Sequence, residues 1–381
     1  MKIVKPDLAH IIRIFGKAFD LACKPNTFVA RVLNALTQCR TAELGGHTYV
    51  CLECGTIKSG FNSCGNRHCP KCQGIKQTIW VDDLIEQTLP VKHFHIVFTI
   101  PHQLNDVCLL NSEAFFSRMF ASAWQTIRTF GYTTFGAESG AICILHTWGQ
   151  NLSFHPHLHC IVPAVGLSLA GNAKAMNASG KFLYPVKQLS VSFKAHFMKG
   201  LEKWAKKNQL DNCLKPTLDN AWNKPWVVFC EPSMAKAEHV VRYLGLYTHR
   251  VAITNNRIVE VDENTVTFLA KDYAHGGRVK TTTLPGVEFL RRFCMHILPL
   301  NFVKIRRYGI YSSRNKDALR KLKGAKKTLP IKTTVHERIK ELLGIDIFCC
   351  PECKKGQMVR LDVIPRTRSP DTFYAVISKS H

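Results

Sequence analysis

Phe154-His155-Pro156-His157-Leu158-His159-Cys160-Ile161-Val162 sets three histidines at alternate positions ahead of an apolar, β-branched tail. In an extended strand, side chains two apart share a face, so His157 and His159 point one way and Leu158 the other. Two imidazoles on one face hold a divalent ion when a third ligand arrives from elsewhere. On its own, a His-x-His strand end is usually no more than a histidine-rich strand, and the rest of the chain has to decide.

Just upstream, residues 141–148 read as a second strand, and the short connection at 149–154 makes the two a hairpin. That pairing brings His146 beside His157 and His159, making it the candidate third ligand, with Gln150 as the alternative. Outward from the hairpin, a strand is expected at 93–100, stopped by Pro101. Helices are expected at 73–89, about 111–130, 186–207 and 285–298. Residues 7–39 read as two helices broken by Lys24-Pro25-Asn26. Residues 166–183 read as a flexible connection, 226–229 as a strand and 251–283 as short strands. The pattern predicts an α+β chain in three parts: a helical arm with a cysteine-rich unit (1–90), a catalytic domain (91–300) and a basic C-terminal region (301–381).

A further helix is expected to open at Pro232-Ser233, with Ser233 as its N-cap. It carries Tyr243-Leu-Gly-Leu-Tyr247-Thr-His249-Arg250. Positions i and i+4 lie one above the other, so both phenols can face one site. Such a pair is ordinarily packing. A tyrosine becomes a covalent nucleophile only with a cation at hand, because a free phenol titrates near pH ~10. A metal on a scissile phosphate would supply that help, with His249 and Arg250 close by.

Lys and Arg number 52 against 27 Asp and Glu, a formal charge of +25. So lopsided a balance points to a polyanionic partner, nucleic acid ahead of membrane. No apolar run of about 18 residues exists, so no spanning helix is expected. The N-terminus lacks a signal-peptide core, which makes the cytoplasm the expected compartment. The stretch from Lys304 to Lys327 is densely basic, with Tyr308 and Tyr311 interleaved, and Arg306, Arg307 and Arg314 are its candidate DNA contacts.

In a reducing compartment, sixteen cysteines imply metal sites before disulfides. Cys51-Leu-Glu-Cys54 and Cys69-Pro-Lys-Cys72 are two Cys-x-x-Cys knuckles fourteen residues apart. This spacing predicts one structural zinc on Cys51, Cys54, Cys69 and Cys72, with Cys64 or His68 as substitutes. Cys350-Pro-Glu-Cys353 is a third knuckle with no obvious partner.

His-Pro-His157-Leu-His159-Cys, the downstream Tyr243-x-x-x-Tyr247, the upstream Asn62-Ser-Cys64-Gly-Asn-Arg-His68-Cys69-Pro-Lys-Cys72 and the later Arg306-Arg-Tyr-Gly309 stand in an order that resembles the insertion-sequence ninety-one family. These are HUH-type transposases (His, hydrophobic residue, His) with two tyrosines. The resemblance implies that His157 and His159 are the metal-binding pair for Mg²⁺ or Mn²⁺, and that Tyr243 and Tyr247 are the nucleophiles. It implies an antiparallel sheet similar to that of rolling-circle replication initiators and conjugative relaxases, with the histidines on a central strand. Some relaxases draw a third histidine from upstream, as His146 would be. The implied activity is nicking and rejoining of single-stranded or hairpin-bearing element ends through a 5′-phosphotyrosine, carried out at the bacterial nucleoid. A replication initiator with the same chemistry and a zinc-dependent DNA-binding regulator without catalysis are the alternatives.

Overall fold

The computed structural model describes residues 5–176, 183–234, 251–272, 276–324 and 334–367. Helices α1 (Leu8–Cys23) and α2 (Thr27–Gln38) come first. Asp7 and Asn26 cap them through their side chains, and Lys24 adopts a left-handed φ of 43° at the break. Strands β1 (Gly46–Cys51) and β2 (Ile57–Phe61) follow, then α3 (Pro70–Gln87) and β3 (His93–Thr99). Helices α4 (Asn105–Leu110) and α5 (Ser112–Phe135) lead to the hairpin of β4 (Gly140–Trp148) and β5 (Phe154–Pro163). The stretch expected to be flexible carries two short paired strands, β6 (Val165–Leu167) and β7 (Ala173–Ala175). Beyond it stand α6 (Val186–Lys207), α7 (Asp211–Asn223) and β8 (Val228–Met234). Then come β9 (Ile258–Val261), β10 (Thr265–Asp272), β11 (Arg278–Pro285), α8 (Gly286–Cys294) and β12 (Ile305–Gly309). Helices α9 (Lys316–Leu322) and α10 (Val335–Leu343) precede β13 (Met358–Ile364).

The fold is α+β. Its main sheet runs β12-β4-β5-β3-β8, antiparallel throughout, with the histidine strand in the middle. One face packs on α4 to α7: Leu145, Leu158 and Cys160 join Phe116, Phe120, Phe193 and Phe197 in the largest core. The other face is divided. Ile142, Ile144 and Ile161 pack with Leu84 of α3, while further along the same face β4 and β5 present histidines. The helix expected at 73–89 begins earlier, because Pro70 sits at the first helical position directly after Cys69.

Three expectations change. Ser233 lies in β8 rather than capping a helix, since residues 228–234 extend the sheet along β3. The C-terminal region is not a separate unit: β12 completes the main sheet beside β4, and β13 pairs with β1. The N-terminal helices do not pack on the cysteine unit alone. Leu8, Ile11 and Phe15 share a core with Phe268, Phe289 and Phe293 from the sheet and helix after residue 251.

Gly309, at the end of β12, has φ of 55°, and a Cβ there would run into the Ser139 carbonyl and the Trp124 ring. Only glycine allows β12 to close against β4 at this point.

His93 is fully buried in β3. Its Nδ1–H donates to the Val91 carbonyl at 2.8 Å and its Nε2 accepts from the Tyr311 hydroxyl at 2.6 Å. Burial lowers its pKa to about 4. The unfolded chain therefore takes up a proton near pH ~6.5 that the folded chain refuses, and stability present above that pH is lost as it falls toward 4. One such group removes about 2 kcal/mol by pH ~5. Urea unfolding of the zinc-saturated chain between pH 7 and 4.5 is expected to lose stability less steeply, by about one proton, in His93→Gln than in wild type. Equal slopes would contradict this linkage.

Candidate metal and DNA-processing site

The β4–β5 register pairs His146 with His157 and Ile144 with His159. Side chains in β5 alternate strictly: Phe154, Pro156, Leu158 and Cys160 are buried, whereas His155 is exposed and His157 and His159 are half-buried. Between His146 and Trp148 the register shifts, and Pro156, which has no N–H for the ladder, falls at this bulge. Candidate ligand nitrogens of His146, His157 and His159 all lie within 4.8 Å of one another.

Neighbouring groups orient the His157 and His159 rings. His157 Nδ1–H donates to the His155 carbonyl at 2.7 Å, so its Nε2 carries a lone pair. His159 Nδ1 is 2.8 Å from His95 Nε2 on the neighbouring strand. This fixes the ring in the way that partners of metal-bound histidines commonly do. Burial pushes the His157 pKa down to about 4. Burial, with His146, His157 and His95 adding to it, holds His159 well below the usual range. These rings are neutral at pH 7, as metal ligation requires. His95 was invisible as a functional residue in sequence. Its only signal is that His93 and His95 alternate on the strand pairing with β5, and His93 turns out to be structural.

The cysteines fall into two tetrads rather than one. Cys39, Cys64, Cys69 and Cys72 form the first, and Cys51, Cys54, Cys350 and Cys353 the second. The expected grouping of Cys51 and Cys54 with Cys69 and Cys72 is therefore wrong. The first knuckle closes β1, which pairs with β13, and that pairing delivers the C-terminal knuckle to it. Helix α3 meanwhile carries Cys72 to Cys39 at the end of α2. Cys64, a candidate substitute, belongs to the first tetrad, and His68 belongs to neither.

Both tetrads fit zinc. A tetrahedron with Zn–S of about 2.3 Å has edges of about 3.8 Å. The Sγ separations are 3.4 Å for Cys39–Cys72 and 3.7 Å for Cys64–Cys72. In the second tetrad, Cys51–Cys353 and Cys54–Cys350 are each 3.7 Å apart. Thiols in both tetrads are drawn toward the thiolate: Cys64, to about 5, chiefly by Cys69; Cys54, to about 6, chiefly by the Thr56 hydroxyl; and Cys353, chiefly by the Gly356 N–H. Gly356 makes room for the second tetrad, since a Cβ there would stand 2.5 Å from Cys51 Sγ.

The other expected site residues divide. Tyr243, Tyr247 and Arg250 lie outside the described residues. The Arg306 guanidinium sits 4.5 Å from the Phe120 ring centre and 5.2 Å from that of Phe302, and donates to Ser117 Oγ, so it packs the sheet on α5. Arg307 donates to Gln87, and Arg314 is exposed.

A family model described as "Transposase zinc-binding domain" matches residues 11–100, and one described as "Putative transposase" matches residues 140–318. "Putative transposase y4qJ" of Sinorhizobium fredii is 37% identical, covering 96% of this chain and 97% of that protein. The chain belongs to the IS91-family transposases. "Transposase for insertion sequence element IS801" of Pseudomonas savastanoi pv. phaseolicola is 24% identical over 72% of this chain and 68% of its own length. No solved structure matches the chain. The first tetrad and the three histidines fall within the two matched regions, whereas Cys350 and Cys353 lie beyond both. Among the described residues, no helix is long and apolar enough to cross a membrane.

The tetrads set the metal count. Wild type is expected to bind two zinc ions per chain. Cys51→Ser and Cys350→Ser should each lose one, and so should Cys39→Ser. Cys51→Ser combined with Cys350→Ser should lose no more than either alone, whereas Cys51→Ser with Cys39→Ser should lose both. Mass spectrometry under native conditions reads this count directly, and a single zinc in wild type would contradict it.

Proposed function

We propose that this transposase nicks and rejoins single-stranded DNA at the ends of its element through a 5′-phosphotyrosine intermediate, by a rolling-circle route. The observation that carries the reading is the cluster of His146, His157 and His159 on one face of the central strand pair, with their ligand atoms within 4.8 Å. Mg²⁺ or Mn²⁺ held there would polarise the scissile phosphate and favour phenolate formation.

The chain's own residues have distinct tasks. His95 and the His155 carbonyl hold the His159 and His157 rings by Nδ1. One of Tyr243 and Tyr247 attacks phosphorus through its phenolic oxygen. The bond to the 3′ oxygen breaks, and that oxygen leaves as a hydroxyl carrying the proton that the phenol gives up. The second tyrosine can cut the far end or the target while the first stays occupied. Attack by a 3′-hydroxyl on the phosphotyrosine reverses the step, so joining needs no ATP. The absence of a Gly-x-x-x-x-Gly-Lys-Ser/Thr sequence agrees with this. The zinc-bearing units would position element ends, hairpins included, through phosphate and shape contacts.

The test uses labelled single-stranded element ends with Mg²⁺ or Mn²⁺. Wild type is expected to give a covalent protein–DNA adduct, and Tyr243→Phe with Tyr247→Phe to give none. His157→Ala with His159→Ala should reduce nicking by about 10²-fold or more. An adduct formed by the double tyrosine variant, or nicking undiminished in the double histidine variant, would refute the mechanism.

A further inference from the structure

Beside the three histidines lies a small cleft whose walls come from four separated parts of the chain. Arg67 and His68 reach it from the loop between Cys64 and Cys69, and Lys304 reaches it from the residue before β12. Trp148, Phe293 and His296 form its aromatic wall. Trp148 is the partition between cleft and histidine site: its ring stacks on His146 at 5.1 Å and meets His296 edge-on at 6.1 Å.

Among the described residues, no acidic group compensates the charge in this cleft. Arg67 donates to the backbone carbonyls of Phe302, at 2.5 Å, and Pro299, at 2.7 Å, which ties the first tetrad to the sheet. No carboxylate among the described residues lines the cleft, and none of them pairs with Lys304. His68 Nε2 is buried there without a hydrogen-bond partner. His296 is fully engaged, with Nδ1 at Thr147 and Nε2–H donating to the Leu152 carbonyl. Lys304 is half-buried, and drawing an ammonium out of water with no counter-ion is unfavourable unless an anion completes the site. Burial, with Arg67 adding to it, lowers the Lys304 pKa to about 8, so the side chain still carries its proton at pH 7.

We propose that this cleft receives the oxygens of a DNA backbone phosphate flanking the linkage at the three-histidine face, with Lys304 as its principal cation and His68 Nε2 as a second donor. Size narrows the ligand. The enclosed space is about 20 Å³, enough for an oxygen-sized group or two and too little for a nucleoside. A phosphate edge therefore enters while sugar and base stay outside. The inference rests on the DNA-processing reading above and deepens it: the loop of the first tetrad contributes directly to strand placement.

The experiment uses the full-length, zinc-loaded chain and a fluorescent single-stranded element end, with anisotropy read across a salt series. Lys304→Met is expected to weaken binding about fivefold and to lower the slope of log K against log salt by about 0.7, the release associated with one single-strand phosphate. Lys304→Arg should restore the slope. Without DNA, Lys304→Met should melt no lower than wild type, because it removes a half-buried charge that no described carboxylate pairs with. A single neutral methylphosphonate, moved along the probe, should at one position weaken wild type and leave Lys304→Met unaffected. Unchanged affinity and slope in Lys304→Met would overturn the proposal. A methylphosphonate scan with no such position would also overturn it, and stabilisation of wild type but not Lys304→Met by inorganic phosphate would then assign the cleft to a free anion. His157→Ala with His159→Ala tests the nicking reading separately. That pair should reduce cleavage by about 10²-fold or more while keeping the salt slope, so either idea can fail alone.

Discussion

The meeting of His146, His157 and His159 depends on the hydrogen-bonded register between β4 and β5. Side-chain period in a strand is two, so a slip of one residue would send His157 and His159 into the helix-covered core and bring Leu158 and Cys160 to the open face. Leu158 and Cys160 are completely buried, and the apolar area they would expose opposes that slip. The bulge at Pro156 adds a second constraint, because one extra residue on β5 fixes where regular pairing stops. The site is thus built by the hydrophobic pattern of the opposite face, and the histidines follow from it.

This is why the strand-borne half of the site was readable from sequence. Alternation in residues 154–162, a short connection and a second apolar run at 141–148 are local signals, and they specify which histidines share a face. Helix breaks at Lys24-Pro25-Asn26 and strand ends at Pro101 are local in the same sense. His95 was not readable, because its role requires knowing that β3 lies on the other side of β5, a choice made by packing between distant segments. Ser233 misled for a related reason. Pro-Ser is a sound helix start, yet the open edge of β3 offered backbone partners that prolong β8 through that point.

The cysteines show the limit of spacing arguments most clearly. Two knuckles fourteen residues apart look complete, and nothing between Cys51 and Cys72 announces that each pair seeks a different partner. What separates them is topology: β1 runs toward β13, whereas α3 returns its first turn toward α2. Cys39 stands alone in sequence, with no neighbouring ligand to mark it. Arg306 is a parallel case on the charge side. Its place in a basic stretch suggested solvent and phosphate, while Phe120 and Phe302 give the guanidinium two aromatic faces to stack on.

The second tetrad has a consequence for how the polypeptide is made. Its ligands come from the first and last parts of the molecule, so Cys51 and Cys54 leave the ribosome long before Cys350 and Cys353 exist. Until translation passes residue 353 the early pair is an open dithiol at the end of a strand whose neighbour β13 has not been synthesised. A chain interrupted between residues 309 and 350 would hold every strand of the main sheet but lack the partners of this pair.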